Sequence, residues 1–514
     1  MNNKNRFLCK IPIVTLALIG AVGILILTNL FGAGVAPDSV AYVSVARHVS
    51  QGFGFVNFDG YSFILQPPLY PLILAAIKMV FFIDPLISAG YLNAILFGLI
   101  IFYSGLFLLT HLKSYWLAIF GTITILGSSV LITISLITFS EPLFILLILL
   151  YLHFFDIYIK KRTITSLILF SIAVSLACLT RYVGVIIILT GSISIFIWAK
   201  KTFKETFKHL IIFLLITILP TGLWILRNYF ISGTLVGQRA ESSFTISDNL
   251  ILFFNTIIKW YLPWQISGQQ LFFLIVLVSV VIFDRVVLMN RWNKEKSRME
   301  QIYPPLIFII LYSVIIVISS TTTAYDKIDN RLLSPIYVTL LFCIYIILDN
   351  ILDYFSKQFN KKIVTALLII GIIIWMKYPV NRTIYYVDNF IKHSGWEYSS
   401  KEWEENSVIV FLNNNQQLIK GYSIYSNAPE AVYILANMEA KWSPPKTMYN
   451  SSILINTNII PQNIYFGEDK AILIWFYNLN RNFLFKVDEL QKYIKIVKIV
   501  QLKDGEIYTI KKNN

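Results

Sequence analysis

Pro37-Asp38-Ser39-Val40-Ala41-Tyr42, then Arg47-His48, then Gln66-Pro67-Pro68-Leu69-Tyr70-Pro71, follow closely on an apolar run at 11–31 that is long enough to cross a bilayer. A carboxylate a few residues beyond a membrane-length helix is placed to act on something that arrives by way of the membrane. The chain has 514 residues, of which 56% are hydrophobic and 14% charged. A water-soluble fold cannot hide that much apolar surface, so the sequence reads as an α-helical polytopic membrane protein.

Runs able to span the hydrocarbon lie at 11–31, 86–110, 115–137, 141–159, 163–180, 182–199, 208–228, 270–287, 303–320, 332–349 and 362–378, which makes eleven. The run 69–82 is shorter, contains Lys78 and starts at Pro67-Pro68. Loop charge decides its role. With Lys4, Arg6 and Lys10 in the cytoplasm, eleven spans put 19 of the 28 basic residues before residue 380 on the cytoplasmic side. A twelfth span at 69–82 would invert every later loop, so this run is expected to lie along the outer face as an interfacial helix. Loops 32–85, 229–269 and 321–331 then lie outside, with the turns at Ser140-Glu141 and Thr180-Arg181. The first run is read as a retained anchor, with cleavage after Gly34-Val35-Ala36 left open. The expected location is the cell (inner) membrane.

Composition changes near residue 380, from apolar runs to mixed Asn, Lys, Glu and Tyr. Residues 1–379 are therefore read as a transmembrane module and 380–514 as an extracytoplasmic α/β domain. That second part is expected to be helical over 401–414. Strands are expected at 423–426, at 471–477 and as a pair over 494–510 around Lys503-Asp504-Gly505, with a helix opened by Asn427-Ala428-Pro429-Glu430. It holds 15 basic against 13 acidic residues, so no basic face for nucleic acid is expected there. The net charge of +15 belongs mainly to the membrane half and is topology information.

Cys9, Cys178 and Cys343 all lie in the apolar half, and the five histidines do not cluster. No zinc-type ligand spacing is present. There is no phosphate-binding Gly loop and no dinucleotide fingerprint, so direct use of ATP or NAD is not expected. No cofactor is assigned. A divalent metal between carboxylates such as Asp38 and Glu141 is left open.

Charged groups at the edge of a membrane are costly and mark function by default. Asp38 is the best candidate general base, against the plain alternative that it caps the helix beginning there. Glu141, followed by Pro142, starts a span, and the same two readings apply. Arg181 breaks a long apolar stretch, and Arg227 and Arg331 stand at other span ends. Each alone suits a snorkelling anchor; the three together on one face suit a phosphate or pyrophosphate. A nucleotide-sugar donor would be on the cytoplasmic side. The donor expected on the outer face is therefore a sugar carried on a polyprenyl phosphate.

Asp38, Gln66-Pro67-Pro68-Leu69-Tyr70-Pro71, Ser140-Glu141, Leu179-Thr180-Arg181 and Leu226-Arg227-Asn228 occur in an order that resembles the bacterial GT-C glycosyltransferases. These are the glycosyltransferase 39 or PMT-2 type, relatives of protein O-mannosyltransferases and of the lipid A aminoarabinose transferase. Asp329-Asn330-Arg331-Leu332-Leu333-Ser334-Pro335 and Ile424-Tyr425-Ser426-Asn427-Ala428-Pro429-Glu430 are similar to segments of that group. The likeness covers nearly the whole chain and weakens after residue 440. It implies an inverting transferase using a lipid-phosphate sugar on the outer face. Asp38 would deprotonate the acceptor or bind a metal, with Glu141 beside it, and Arg181, Arg227 and Arg331 would hold the leaving phosphate. Tyr42, Gln66 and Tyr70 would shape the loop or the acceptor side. Gln66 is neutral where many relatives carry Lys or His.

The chemistry needs a base on the acceptor hydroxyl and stabilisation of a departing phosphate, which one carboxylate and several arginines can supply. The acceptor is left open among lipid, glycan and protein. A lipid-linked glycan flippase or transporter would show charges at mid-span and repeated halves, and neither is evident. A polymerase of lipid-linked glycans would share the donor class. A scaffold without catalysis is the third alternative.

Overall fold

A computed structural model describes residues 9–198, 202–263, 303–447 and 471–511. The expected span at 270–287 lies outside the described residues. The chain is a multi-pass, mainly helical membrane protein with a small sheet near its C-terminus.

Most helices follow the apolar runs, two lie in the loops between them, and the last long one runs on past residue 380. They are α1 Ile11–Phe31, α2 Pro37–Ser50, α3 Leu69–Phe81, α4 Pro85–His111, α5 Tyr115–Leu126, α6 Ser129–Leu136, α7 Glu141–Lys161, α8 Ile164–Thr180 and α9 Val185–Trp198. After them come α10 Phe203–Ser232, α11 Ile246–Tyr261, α12 Tyr303–Thr322, α13 Asn330–Phe355 and α14 Lys361–Lys392. Among the described residues seven helices are long and apolar enough to cross a membrane, and α5 with α6 forms an eighth path bent by 43°. Helices α3, α8 and α9 are apolar but shorter. Side-chain caps set several starts: Asp84, Ser114, Ser128, Thr163 and Asp329 each accept a first-turn backbone N–H.

At 13 residues, about 20 Å, α3 is too short to span. Its Tyr70, Pro71, Leu74 and Ala75 are buried, while Met79, Val80 and Phe81 are exposed, as an interfacial helix requires.

Beyond α14 come the short helices α15 Lys401–Glu404, α16 Ser407–Asn414 and α17 Gln416–Ile419. Strand β1 Ser423–Ser426, helix α18 Pro429–Ala436 and strand β2 Lys441–Trp442 follow. The chain closes with β3 Ala471–Phe476, α19 Val487–Leu490, β4 Lys495–Leu502 and β5 Gly505–Lys511. The sheet order is β2-β1-β3-β5-β4, parallel over β2-β1-β3 and antiparallel over β3-β5-β4.

The small domain is tied to the membrane half by backbone and by core. Gly34 pairs with the segment after α6, through Gly34 N to Leu136 O at 2.8 Å and Thr138 N to Gly34 O at 2.9 Å. Val35 pairs on its other side, through Val35 N to Trp396 O at 3.2 Å and Tyr398 N to Val35 O at 3.0 Å. Val35, Val40 and Phe58 of the first loop share one apolar core with Tyr398, Val408, Val432 and Ile474. A β-carbon on Gly34 would lie 2.9 Å from both Ile137 Cγ1 and Trp396 Cβ, so the three-segment junction needs glycine there.

Candidate active site

The first turn of α2 carries Asp38, but the carboxylate does not cap the helix. Ala36 holds the cap position, and Ser39 Oγ accepts its N–H at 3.1 Å. That frees Asp38 to turn sideways, where Arg331 Nη2 donates to its Oδ2 at 2.5 Å. The same guanidinium donates through Nε to Glu141 Oε1 at 2.7 Å. Arg181 Nη1 reaches the same Glu141 oxygen at 2.5 Å and Ser140 Oγ at 3.4 Å. Helix starts α2, α7 and α13 and the turn after α8 therefore converge on one network of two carboxylates and two guanidinium groups.

Glu141 is fully buried, and its Oε2 has no hydrogen-bond partner among the described residues. Its position at the start of α7, with Pro142 next, adds favourable contact with the helix dipole. Arg331 packs over the Phe139 ring at 3.9 Å, a cation–π contact that fixes the plane of its fork. Asp38 differs from Glu141 in access: 36% of its side chain is open. Burial works to raise the Asp38 carboxyl, but Arg331, helped by Arg181 and Arg239, outweighs it and holds the group below the ordinary carboxylate range. Asp38 is therefore an ionised, reachable carboxylate at neutral pH.

Other expected residues take supporting positions. Gln66 Nε2 donates to Asp38 Oδ1 at 3.3 Å. Tyr42 is buried, its hydroxyl 3.1 Å from Ser140 Oγ and its ring edge-on to Tyr70 at 5.1 Å. Tyr70 is fully buried and donates to Asn93 Oδ1 at 3.4 Å, while Asn93 Nδ2 donates to Ile137 O at 2.6 Å. Both tyrosines back the carboxylates and do not face the opening.

Arg227 is not drawn into the network. Its Nη1 donates to Phe63 O at 2.8 Å and Asn228 Oδ1 at 3.0 Å, and its guanidinium lies over Trp224 at 4.6 Å and Phe55 at 5.4 Å. It straps the first loop to α10. Tyr182 works beside it, donating to Ile64 O at 2.8 Å and accepting from Trp224 and Asn228, both at 3.0 Å.

Sequence reasoning missed Ser140, Asn93 and Phe139 as site members. Arg239, in the loop 229–269 expected outside, was given no role. Arg239 Nη2 donates to Leu65 O at 3.2 Å, its guanidinium stacks over Tyr325 at 4.8 Å, and its field reaches Asp38. A basic residue in the outer loop after α10 was the available signal.

A divalent ion between Asp38 and Glu141 does not fit this arrangement. The Arg331 fork stands between the two carboxylates, and no group of three or more His, Cys, Asp or Glu among the described residues could hold a metal.

No family model and no curated protein sequence matches the chain. Solved structures do. ArnT from Cupriavidus metallidurans aligns over 96% of this chain and 97% of its own, with TM-score 0.60 and 12% identity, in the apo state and bound to undecaprenyl phosphate. The archaeal oligosaccharyltransferase AglB from Archaeoglobus fulgidus, in complex with an inhibitory peptide and a dolichol-phosphate, aligns over 90% of this chain and 69% of its own. There the TM-score is 0.53 and the identity 10%. The chain has the GT-C glycosyltransferase fold.

Proposed function

We propose that this protein is an inverting glycosyltransferase that moves a sugar from a polyprenyl-phosphate donor to an acceptor hydroxyl on the outer face of the membrane. One observation carries the reading: an accessible, ionised Asp38 shares a single guanidinium with the wholly buried Glu141, where several helix starts meet. Neighbours with this fold bind undecaprenyl phosphate or dolichol-phosphate, which supports the donor class.

In this reading Asp38 takes the proton of the acceptor hydroxyl as its oxygen attacks the anomeric carbon. The bond from that carbon to the phosphate oxygen breaks with inversion, and the polyprenyl phosphate leaves with its electron pair. Arg331 and Arg181 meet the developing negative charge, held in place by Glu141. Arg239, bonded to a backbone carbonyl and stacked on Tyr325, is the arginine nearest in role to the one expected of Arg227. The expected sides follow: N-terminus cytoplasmic, residues 380–514 extracytoplasmic, in the cell (inner) membrane, with residues 1–379 as the catalytic module.

The test is mass spectrometry of cell-envelope lipids, glycans and proteins from cells carrying wild-type protein, Asp38→Asn or none. Loss of one glycosylated species in both the variant and the null is expected. An Asp38→Asn protein that restores that species at the normal level removes the reading.

A further inference from the structure

Three backbone segments lie side by side at the site. The one leading to Asp38 carries Gly34 and Val35, the one leading to Glu141 carries Ile137, and the third, from the C-terminal domain, carries Glu397. Glu397 bridges Val35 in parallel, so the small domain reaches the site's rim three residues before Asp38.

The turn that makes this approach is unusual. Ser394, Gly395 and Glu397 have φ of 51°, 137° and 51°, a left-handed backbone that residues with side chains seldom adopt. Gly395 lets it pass against Ser399, whose carbonyl oxygen a β-carbon would strike at 2.4 Å. A glutamate in such a place carries more strain than glycine or asparagine would, which singles it out for a functional reading. Its neighbour Tyr398 is fixed: buried, with its backbone on Val35 and its hydroxyl accepting from Arg481 Nη2 at 3.0 Å. The Glu397 side chain itself is exposed and makes no hydrogen bond or ion pair among the described residues. Yet Arg331 and Asp38 of the site, and Arg481 and Asp326 beside it, all act on its carboxyl through their fields.

We propose that Glu397 is the acceptor-binding residue supplied by the C-terminal domain, accepting hydrogen bonds from a neutral, hydroxyl-bearing acceptor presented to Asp38. This rests on the transferase reading above. A carboxylate with open lone pairs takes two hydroxyl donors in a fork. Its own negative charge disfavours an anionic group placed directly against it, so a polyol or hydroxyl-bearing side chain fits this carboxylate better than a phosphorylated one.

The deciding variant is Glu397→Gly, which removes the carboxylate and relaxes the backbone; Glu397→Asn, which tolerates the same φ, is the second. Three readouts are taken: the envelope product per membrane-inserted protein, the thermal midpoint, and the midpoint's rise on adding undecaprenyl phosphate. Expected are a product loss of about tenfold or more, a midpoint no lower than wild type and an unchanged response to undecaprenyl phosphate. Glu397→Gln should recover part of the product, because an amide oxygen still accepts. Normal transfer by Glu397→Gly overturns the proposal. So does product loss that follows a lowered midpoint in both variants, or loss of the undecaprenyl phosphate response, since these assign Glu397 to folding or to the donor side. If Asp38→Asn transfers normally, the transferase reading fails instead, so the two failures are distinct.

Discussion

Glu141 at the head of α7 and Glu430 at the head of α18 are both fully buried, each has a proline beside it, and each faces a guanidinium stacked on an aromatic ring. Arg331 lies over Phe139 at 3.9 Å and Arg481 over Trp442 at 4.7 Å. The difference lies in the third member. Arg331 extends its fork to Asp38, which is open to solvent, whereas Arg481 extends to the hydroxyl of the buried Tyr398. An ion network with one accessible carboxylate can exchange a proton with a ligand; a network closed by a buried phenol can only hold two elements together. The same local chemistry is therefore open to a ligand in one region and closed off in the other.

The widest separation expected is between Asp38→Asn and Glu430→Gln. Asp38→Asn should cut transfer by about 10²–10⁴-fold, the range of a positioned general base, with a small change in thermal midpoint. Glu430→Gln should lower the midpoint while each folded molecule transfers normally. Product per folded protein, read by mass spectrometry, breaks the comparison if the two variants lose it equally.

Arginine removal comes next. Arg331→Met leaves Glu141 with Arg181 and leaves Asp38 with Gln66 and the fields of Arg181 and Arg239, and Arg481→Met strands Glu430 in a buried setting; each should cost about 3–5 kcal/mol, as breaking a buried pair does. Thermal unfolding in detergent measures both. Arg331→Met should also cut transfer by about 10²–10³-fold, leaving a measurable residual rate. A folded, fully active Arg331→Met protein would show that the membrane-side network is a clamp as well.

The pH dependence sharpens the same contrast. Asp38 is held below its ordinary range, so its ion pair contributes stability above the unfolded carboxyl value of about 3.9 and loses it as pH falls through the folded value. Transfer should accordingly be flat through neutral pH and fail only on the acid side. Arg331→Gln removes the guanidinium that opposes burial, so the Asp38 carboxyl rises and the acid limb moves to higher pH. A limb at the same pH in the variant means that Asp38 is not the titrating base.

Gly34→Ala tests the junction that connects the two regions. The added β-carbon meets Ile137 and the β-carbon of Trp396, neither of which is a free side-chain end, so a loss of about 1–3 kcal/mol is expected. Because the shift falls on segments leading to Asp38, Glu141 and Glu397, transfer should drop further than stability alone explains. Equal losses in both would separate the junction from the site.

The seven described helices long enough to cross a membrane, and the bent α5–α6 pair, were legible because lipid imposes one rule, a long apolar run; α8 and α9 are shorter than a span, and α14 continues to Lys392 beyond its apolar run. Strands β1, β3, β4 and β5 were legible from short apolar or β-branched runs with turn residues between them; the two-residue β2 was too short to leave a pattern. Asp38, Glu141, Arg181 and Arg331 could be singled out because a charge at a span end has a cost that demands a reason. Which arginine meets which carboxylate was not legible. Arg227 and Arg331 look alike in sequence, and only packing shows that one reaches Phe63 O and the other Asp38. The Glu430–Arg481 clamp joins residues 51 apart in a mixed-composition domain, where nothing in the sequence pairs the two.

Gln66 gives the smallest expected effect and the finest test of the comparison. Its amide reaches Asp38 at 3.3 Å, a long bond to a part-exposed group, so Gln66→Ala should lower transfer by about two- to tenfold and barely move stability. Gln66→Lys replaces a neutral donor with a cation at the one open carboxylate. If access and charge at Asp38 are what distinguish the site from the clamp, the lysine should pull the acid limb of transfer to lower pH while weakening the base. A rate and limb identical to wild type in both variants would mean that Asp38 is governed by Arg331 alone and that the Pro-Pro loop serves only to hold α3 in place.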